Sequence, residues 1–113
     1  MIKVIFVAWT NMIDDNTVIY EDYPQTVSDA VQQLISALTE QNKADIKKTS
    51  KEELIDLHLG LGLWIRNNFG LWNHNQSLLN SCKLVAGYHQ GQSIESDEAS
   101  NVIVKALWET LQK

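Results

Sequence analysis

The stretch ELIDLHLGLGLWIRNNFGLW, residues 53–72, decides how the chain folds. It carries the only arginine, Arg66, two of the four tryptophans, Trp64 and Trp72, and one of the three histidines, His58. Ser50 stands three residues before Glu53, the spacing of a capping box, so a helix is predicted to begin at Lys51. Leu54, Ile55, Leu57, His58, Leu61 and Ile65 form a broad apolar face. Leu63 and Trp64 carry that face further round, the pattern of a helix covered on most sides. Gly60 and Gly62 each cost about 1 kcal/mol against alanine in a helix interior. Such a cost is expected where another backbone approaches closely. Asn67, Asn68 and Gly70 accept the left-handed conformation that ends a helix. The prediction is a buried central helix over about 51–70.

Upstream of it, Ile2 to Trp9 is rich in β-branched and aromatic residues, Thr10 to Asn16 is polar, and Thr17 to Tyr20 is β-prone again. These three pieces predict an N-terminal β-hairpin over about 2–21. A hairpin alone is marginal in water, so it must lie on the rest of the chain. Pro24 closes this section. Thr26 is positioned to cap a helix in which Val27, Ala30, Val31, Leu34, Ile35 and Leu38 follow helical spacing. Residues 41–48 hold few apolar side chains and read as a short helix or an ordered link. Downstream, Leu78, Leu79, Cys82 and Val85 mark one side of a helix over 77–85. GYHQGQS, residues 87–93, reads as a loop. Ser96 or Asp97 then caps a last helix with Ala99, Val102, Ile103, Ala106, Leu107 and Leu111 inward. The predicted fold class is mainly α: a small helical bundle around the central helix. The chain is read as one domain over 1–113, with 1–23 a β extension and 24–113 a helical core.

Composition narrows the function. A chain of 113 residues is long enough to bury one core without staples. Its single cysteine, Cys82, excludes an internal disulfide and a cysteine-based zinc site. The net charge of −5 repels phosphate backbones, so no nucleic-acid partner is expected. The first apolar run is too short for a signal peptide, and none reaches membrane-spanning length, so a cytoplasmic protein with no membrane partner is expected.

From Pro24 onward the chain resembles a bacterial domain family of uncharacterised function marked by a phrase of the type LHFGLGxWIRNNxGLW. The phrase stands here as residues 57–72, from Leu57 to Trp72. The resemblance extends to Pro24-Gln25-Thr26-Val27-Ser28-Asp29-Ala30-Val31, to Leu54-Ile55-Asp56, to Asn75 and Leu78, and to Asp97-Glu98-Ala99-Ser100-Asn101-Val102-Ile103. Together these span about four fifths of the chain. Leu59 replaces the usual aromatic, and Glu95-Ser96 stands where His-Pro is common. The resemblance implies a shared fold and no particular activity. In size and charge such small domains resemble immunity proteins that neutralise bacterial toxins, an analogy at fold level only.

Two sets of residues are candidates for function. His58, Gly60, Gly62, Arg66, Asn67, Asn68 and Trp72 form the structural signature. His58 and Arg66, eight residues apart, share a helix face. A small enzyme or nucleotide-binding domain would use His58, Arg66 and Asn67 to polarise a phosphate or carbonyl. The structural alternative weighs more: Arg66 and the asparagines satisfy buried carbonyls, and His58 makes one core hydrogen bond. The histidines at 58, 74 and 89 match no ligand spacing, so no metal and no cofactor are expected. The second set is acidic. Asp14, Asp15, Glu21 and Asp22, with Tyr23, lie outside the resemblance and suit a surface that captures a basic protein by electrostatic steering. The leading expectation is therefore a non-enzymatic immunity or antitoxin-type inhibitor whose partner is a basic toxin domain, such as a nuclease. A structural protein that oligomerises through its N-terminal strand is the blander alternative.

Overall fold

Among the described residues, five α-helices with shorter helical turns between them account for the architecture. The computed structural model describes residues 23–113 apart from His74 and Gln90. The predicted hairpin over 2–21 lies outside the described residues, and among those residues there is no strand. Nor is any helix among them long and apolar enough to cross a membrane.

Helix α1 (Val27–Ala37) starts as predicted, with the Thr26 hydroxyl accepting from the Asp29 amide at 3.0 Å. Val27, Ala30, Val31 and Leu34 recur at helical spacing and are buried. The Val27 amide donates to Ser81 Oγ at 2.9 Å, which fixes the start of α1 against the fourth helix. Leu38, predicted within this helix, is instead its extended C-cap. Residues 40–48 resolve the ambiguity of the sequence in favour of a helix, α2 (Glu40–Lys48). Thr39 caps it, and it buries Asn42 and Ile46.

The central stretch departs from the expected uniform helix. Its start is as predicted: the Glu53 carboxylate accepts from the Ser50 amide at 3.3 Å and from the Ser50 hydroxyl at 3.0 Å. The chain then winds as a 3₁₀ helix (Lys51–Leu57), widens into a π turn (His58–Gly62) and only then becomes α3 (Leu63–Asn68). The change of winding explains the burial pattern. Leu57, Leu61, Ile65 and Phe69 repeat every fourth residue and are all buried. An α-helix of 3.6 residues per turn would rotate a strict four-residue repeat off one face. The wider π turn keeps the row in line. The same winding corrects two expectations. Ile55, predicted on the apolar face, is 63% exposed, and Leu59 is 73% exposed, so the segment is open to solvent on one side.

Gly70 ends α3 with φ of +75°, the left-handed conformation predicted for it. A 3₁₀ turn (Leu71–Asn73) follows. Asn75 Nδ2 donates to Phe69 O at 2.8 Å and to Pro24 O at 2.9 Å, joining this turn to the start of the described chain. Helix α4 (Gln76–Ala86) is capped by Asn75 and stopped by Gly87 at φ +81°. Leu78 and Cys82 face inward, but Val85, predicted beside them, is exposed. Helix α5 (Ser96–Leu111) is capped by Glu95 through a capping box with Glu98, not by Ser96 or Asp97.

The centre of the architecture also moves. Helix α5 contacts α1, α2, α3, α4 and each of the intervening turns, whereas the 51–70 segment packs chiefly on α5. Ala99, Ser100, Ile103, Val104 and Leu107 are buried along it. Trp108 Nε1 donates to Thr49 O at 2.6 Å and Gln112 Nε2 to Lys47 O at 3.0 Å, tying its far end to the end of α2.

Candidate functional site

Arg66 is the only buried charge among the described residues, 5% exposed. The sequence places it on α3 two turns after His58, and the structure brings the two together, with Arg66 Nη1 3.4 Å from His58 Nδ1. Nη1 donates to Ser100 Oγ at 2.8 Å, and Nη2 reaches the His58 carbonyl at 3.4 Å. Nε faces Asp97 Oδ1 at 3.6 Å, near enough for an ion pair and too far for a hydrogen bond. Asp97 is itself largely exposed, so solvent screens this pair and it contributes little. The half-exposed Trp72 ring lies 5.8 Å from the guanidinium carbon, in cation–π range.

His58 Nδ1 also meets Asn101 Oδ1 at 3.1 Å. The two contacts of Nδ1 demand opposite roles, because an arginine N–H donates only and a carbonyl oxygen accepts only. The shorter contact makes Nδ1 the donor to Asn101, and the guanidinium is held by Ser100. Ser100 Oγ in turn donates to Asp97 O at 2.9 Å. Its proton therefore lies on a main-chain carbonyl and points away from any base.

Gly62 opens the room for this arrangement. A Cβ there would meet Arg66 Nη1 at 3.2 Å, Ser100 Oγ at 3.6 Å and His58 Nδ1 at 3.7 Å. The expected close neighbour was a backbone; at Gly62 it is the guanidinium. Gly60 is buried in the same π turn. Of the other signature residues, Asn68 Nδ2 donates to the Trp64 carbonyl at 2.9 Å, a helix-end role, and Asn67 is exposed. Ser100, Asn101 and Asp97 were not singled out as site residues. The signal for them was their place in the Asp97–Ile103 segment of the resemblance, which reads as an ordinary amphipathic helix when taken alone.

Tyr23 is half-buried, and its ring lies against Gly70, where a Cβ would meet Cδ2 at 2.5 Å and Cζ at 3.0 Å. Asp14, Asp15, Glu21 and Asp22 lie outside the described residues. His89 is exposed, His74 lies outside the described residues, and no three His, Cys, Asp or Glu side chains among those described converge on a point that suits a metal ion. Cys82 is fully buried, with Sγ 3.5 Å from Ala99 O, and burial pushes its thiol up to about 12. It is a small core residue and not a nucleophile. Glu98, which closes the capping box with Glu95, also accepts the Tyr88 hydroxyl at 2.6 Å.

The fold and this cluster define a class: a small helical domain whose central segment and last helix are locked through a buried arginine, with a tryptophan stacked over it at the surface. The chain belongs to the family described as a domain of unknown function, DUF6794, whose model matches residues 23–111. The match begins at Tyr23, one residue before the resemblance traced in the sequence, so Tyr23 is part of the shared domain. No curated protein and no solved structure matches the chain.

Proposed function

We propose that this chain is a protein-binding domain of the immunity or antitoxin type, which neutralises a basic bacterial toxin, such as a nuclease, by covering its active site in the cytoplasm. One observation carries the reading. The acidic segment holding Asp14, Asp15, Glu21 and Asp22 joins the domain at Tyr23, whose ring is seated on Gly70, two residues from the half-exposed Trp72. Trp72, in cation–π range of Arg66, and the four carboxylates that precede Tyr23 in sequence together supply the aromatic anchor and the acidic charge that a hot spot for a basic partner needs. Carboxylates speed capture of a basic partner, and the tryptophan supplies the area that slows its release. No bond is made or broken, and no cofactor takes part.

Growth rescue and titration test this reading. The chain is co-expressed with the product of the reading frame immediately upstream, and its affinity for that product is measured. Reversing Asp14, Asp15 and Asp22 to lysine is expected to leave the helical circular-dichroism spectrum unchanged and to lower the association rate by about 10-fold or more at low salt. Trp72→Ala is expected to raise the dissociation rate. Unchanged affinity in both variants refutes this surface.

A further inference from the structure

We propose that a second face, bearing Ile55 and Leu59, is where two copies of this chain meet as a two-fold symmetric dimer. Ile55 and Leu59 lie one turn apart on the 3₁₀ and π segments, and both are more exposed than any apolar residue of the domain core. Beside Ile55 runs a groove of about 250 Å³, with Leu54 and Val104 on its walls and Lys51, Asn101 and Lys105 at its rim. Glu52 and Asp56 occupy exposed positions on the same 3₁₀ turn. The patch therefore has an apolar centre and a rim that carries both signs of charge.

That mixture selects the occupant. A basic partner would be repelled by Lys51 and Lys105, and an acidic one by Glu52 and Asp56. A second copy turned through a two-fold axis offers carboxylates to the lysines and lysines to the carboxylates. Self-complementarity of this kind is what an isologous interface requires. The dimer proposal rests on Ile55, Leu59 and the charges around them, and the residues of the proposed function, Trp72 and the acidic segment, form no part of it.

Analytical ultracentrifugation of the full chain provides the test. The wild type is expected to shift from monomer to dimer as concentration rises towards about 1 mM, and Leu59→Asp to raise the dissociation constant by about 10-fold or more. Leu59 is exposed, so this variant retains the fold. Two further chains fix the mode of pairing: one with Lys51→Glu and Lys105→Glu, the other with Glu52→Lys and Asp56→Lys. Each is expected to remain monomeric alone, and the two to form a heterodimer when mixed. Leu59→Asp introduced into both is expected to abolish that heterodimer. A wild type that stays monomeric throughout overturns the proposal. So does a dimer insensitive to Leu59→Asp, or a charge-reversed pair that fails to associate.

Discussion

Gly70→Ala sets the backbone against the packing, and Gly87→Ala is its control. Both glycines sit at positive φ, +75° and +81°. A left-handed L-residue costs roughly 1–2 kcal/mol. At Gly87 nothing lies within 4 Å of an added Cβ, so that conformational cost is the whole effect, about 1 kcal/mol. At Gly70 the same Cβ would sit 2.5 Å from Cδ2 of Tyr23 and closer still to Cε2, so the ring must leave its seat. Overpacking of that kind adds about 1–3 kcal/mol, for a total near 3 kcal/mol. For a domain of this size, 1 kcal/mol moves the melting temperature by about 4 °C or more. Gly87→Ala should therefore lower Tm by about 4 °C and Gly70→Ala by roughly three times as much. A double-mutant cycle isolates the ring. In a Tyr23→Ala background, Gly70→Ala should cost only what Gly87→Ala costs, a coupling of about 2 kcal/mol. Equal Tm losses for the two glycines in the intact chain, or zero coupling, would show that Tyr23 is not seated as described.

Three further outcomes follow from the cluster and the core. Arg66→Ala should cost about 2–4 kcal/mol in urea denaturation, because it removes the bond to Ser100 and leaves a cavity. Arg66→Met, which keeps the buried stem, should cost less than about 1.5 kcal/mol, since burying the charge already carries a desolvation penalty. Equal losses would place the stabilisation in the charge and not in the packing. Cys82 should react with a thiol reagent only on unfolding. Its folded thiol is raised to about 12 from an ordinary 9.0, so its contribution to stability is complete below pH 9 and is lost as pH climbs towards 12. A pH titration of stability in Cys82→Ala should lack that fall. The Tyr88 phenol is held above its ordinary value, first by donating its hydrogen bond to Glu98, so its absorbance titration should move down in Glu98→Gln.

The helices were legible where periodicity and capping agree. Thr26, Ser50 and Gly70 stand where local chemistry puts them; spacing finds Val27, Ala30, Val31 and Leu34 of α1 and Ala99, Ile103 and Leu107 of α5, but not the buried Ser100 and Val104. What escaped did so for definite reasons. Ile55 was assigned to the buried face because a period of 3.6 was assumed, and neither the 3₁₀ nor the π winding keeps that period. Glu95 was passed over as a cap because Ser96 beside it is the better intrinsic N-cap, yet Glu98 lies at the right distance to close a box with Glu95. The meeting of His58 with Arg66 followed from their separation, but Ser100 and Asn101 complete the cluster from a helix more than thirty residues downstream of Arg66. Only tertiary packing reveals that pairing. The importance of α5 is hidden for a similar reason: Ala99 and Ser100 look unremarkable in composition, yet both are fully buried and Ser100 holds the Arg66 guanidinium.

Because every other helix among the described residues contacts Ser96–Leu111, order of synthesis matters. While a nascent chain has emerged only as far as α4, the row Leu57, Leu61, Ile65 and Phe69 lacks the neighbour that shields it, and Arg66 lacks Ser100. Packing of this row waits for α5, whose contacts with α1 join residues about seventy positions apart. Until then the translating chain presents its stickiest surface to the surroundings, and a chaperone that shields residues 57–69 would act in that interval.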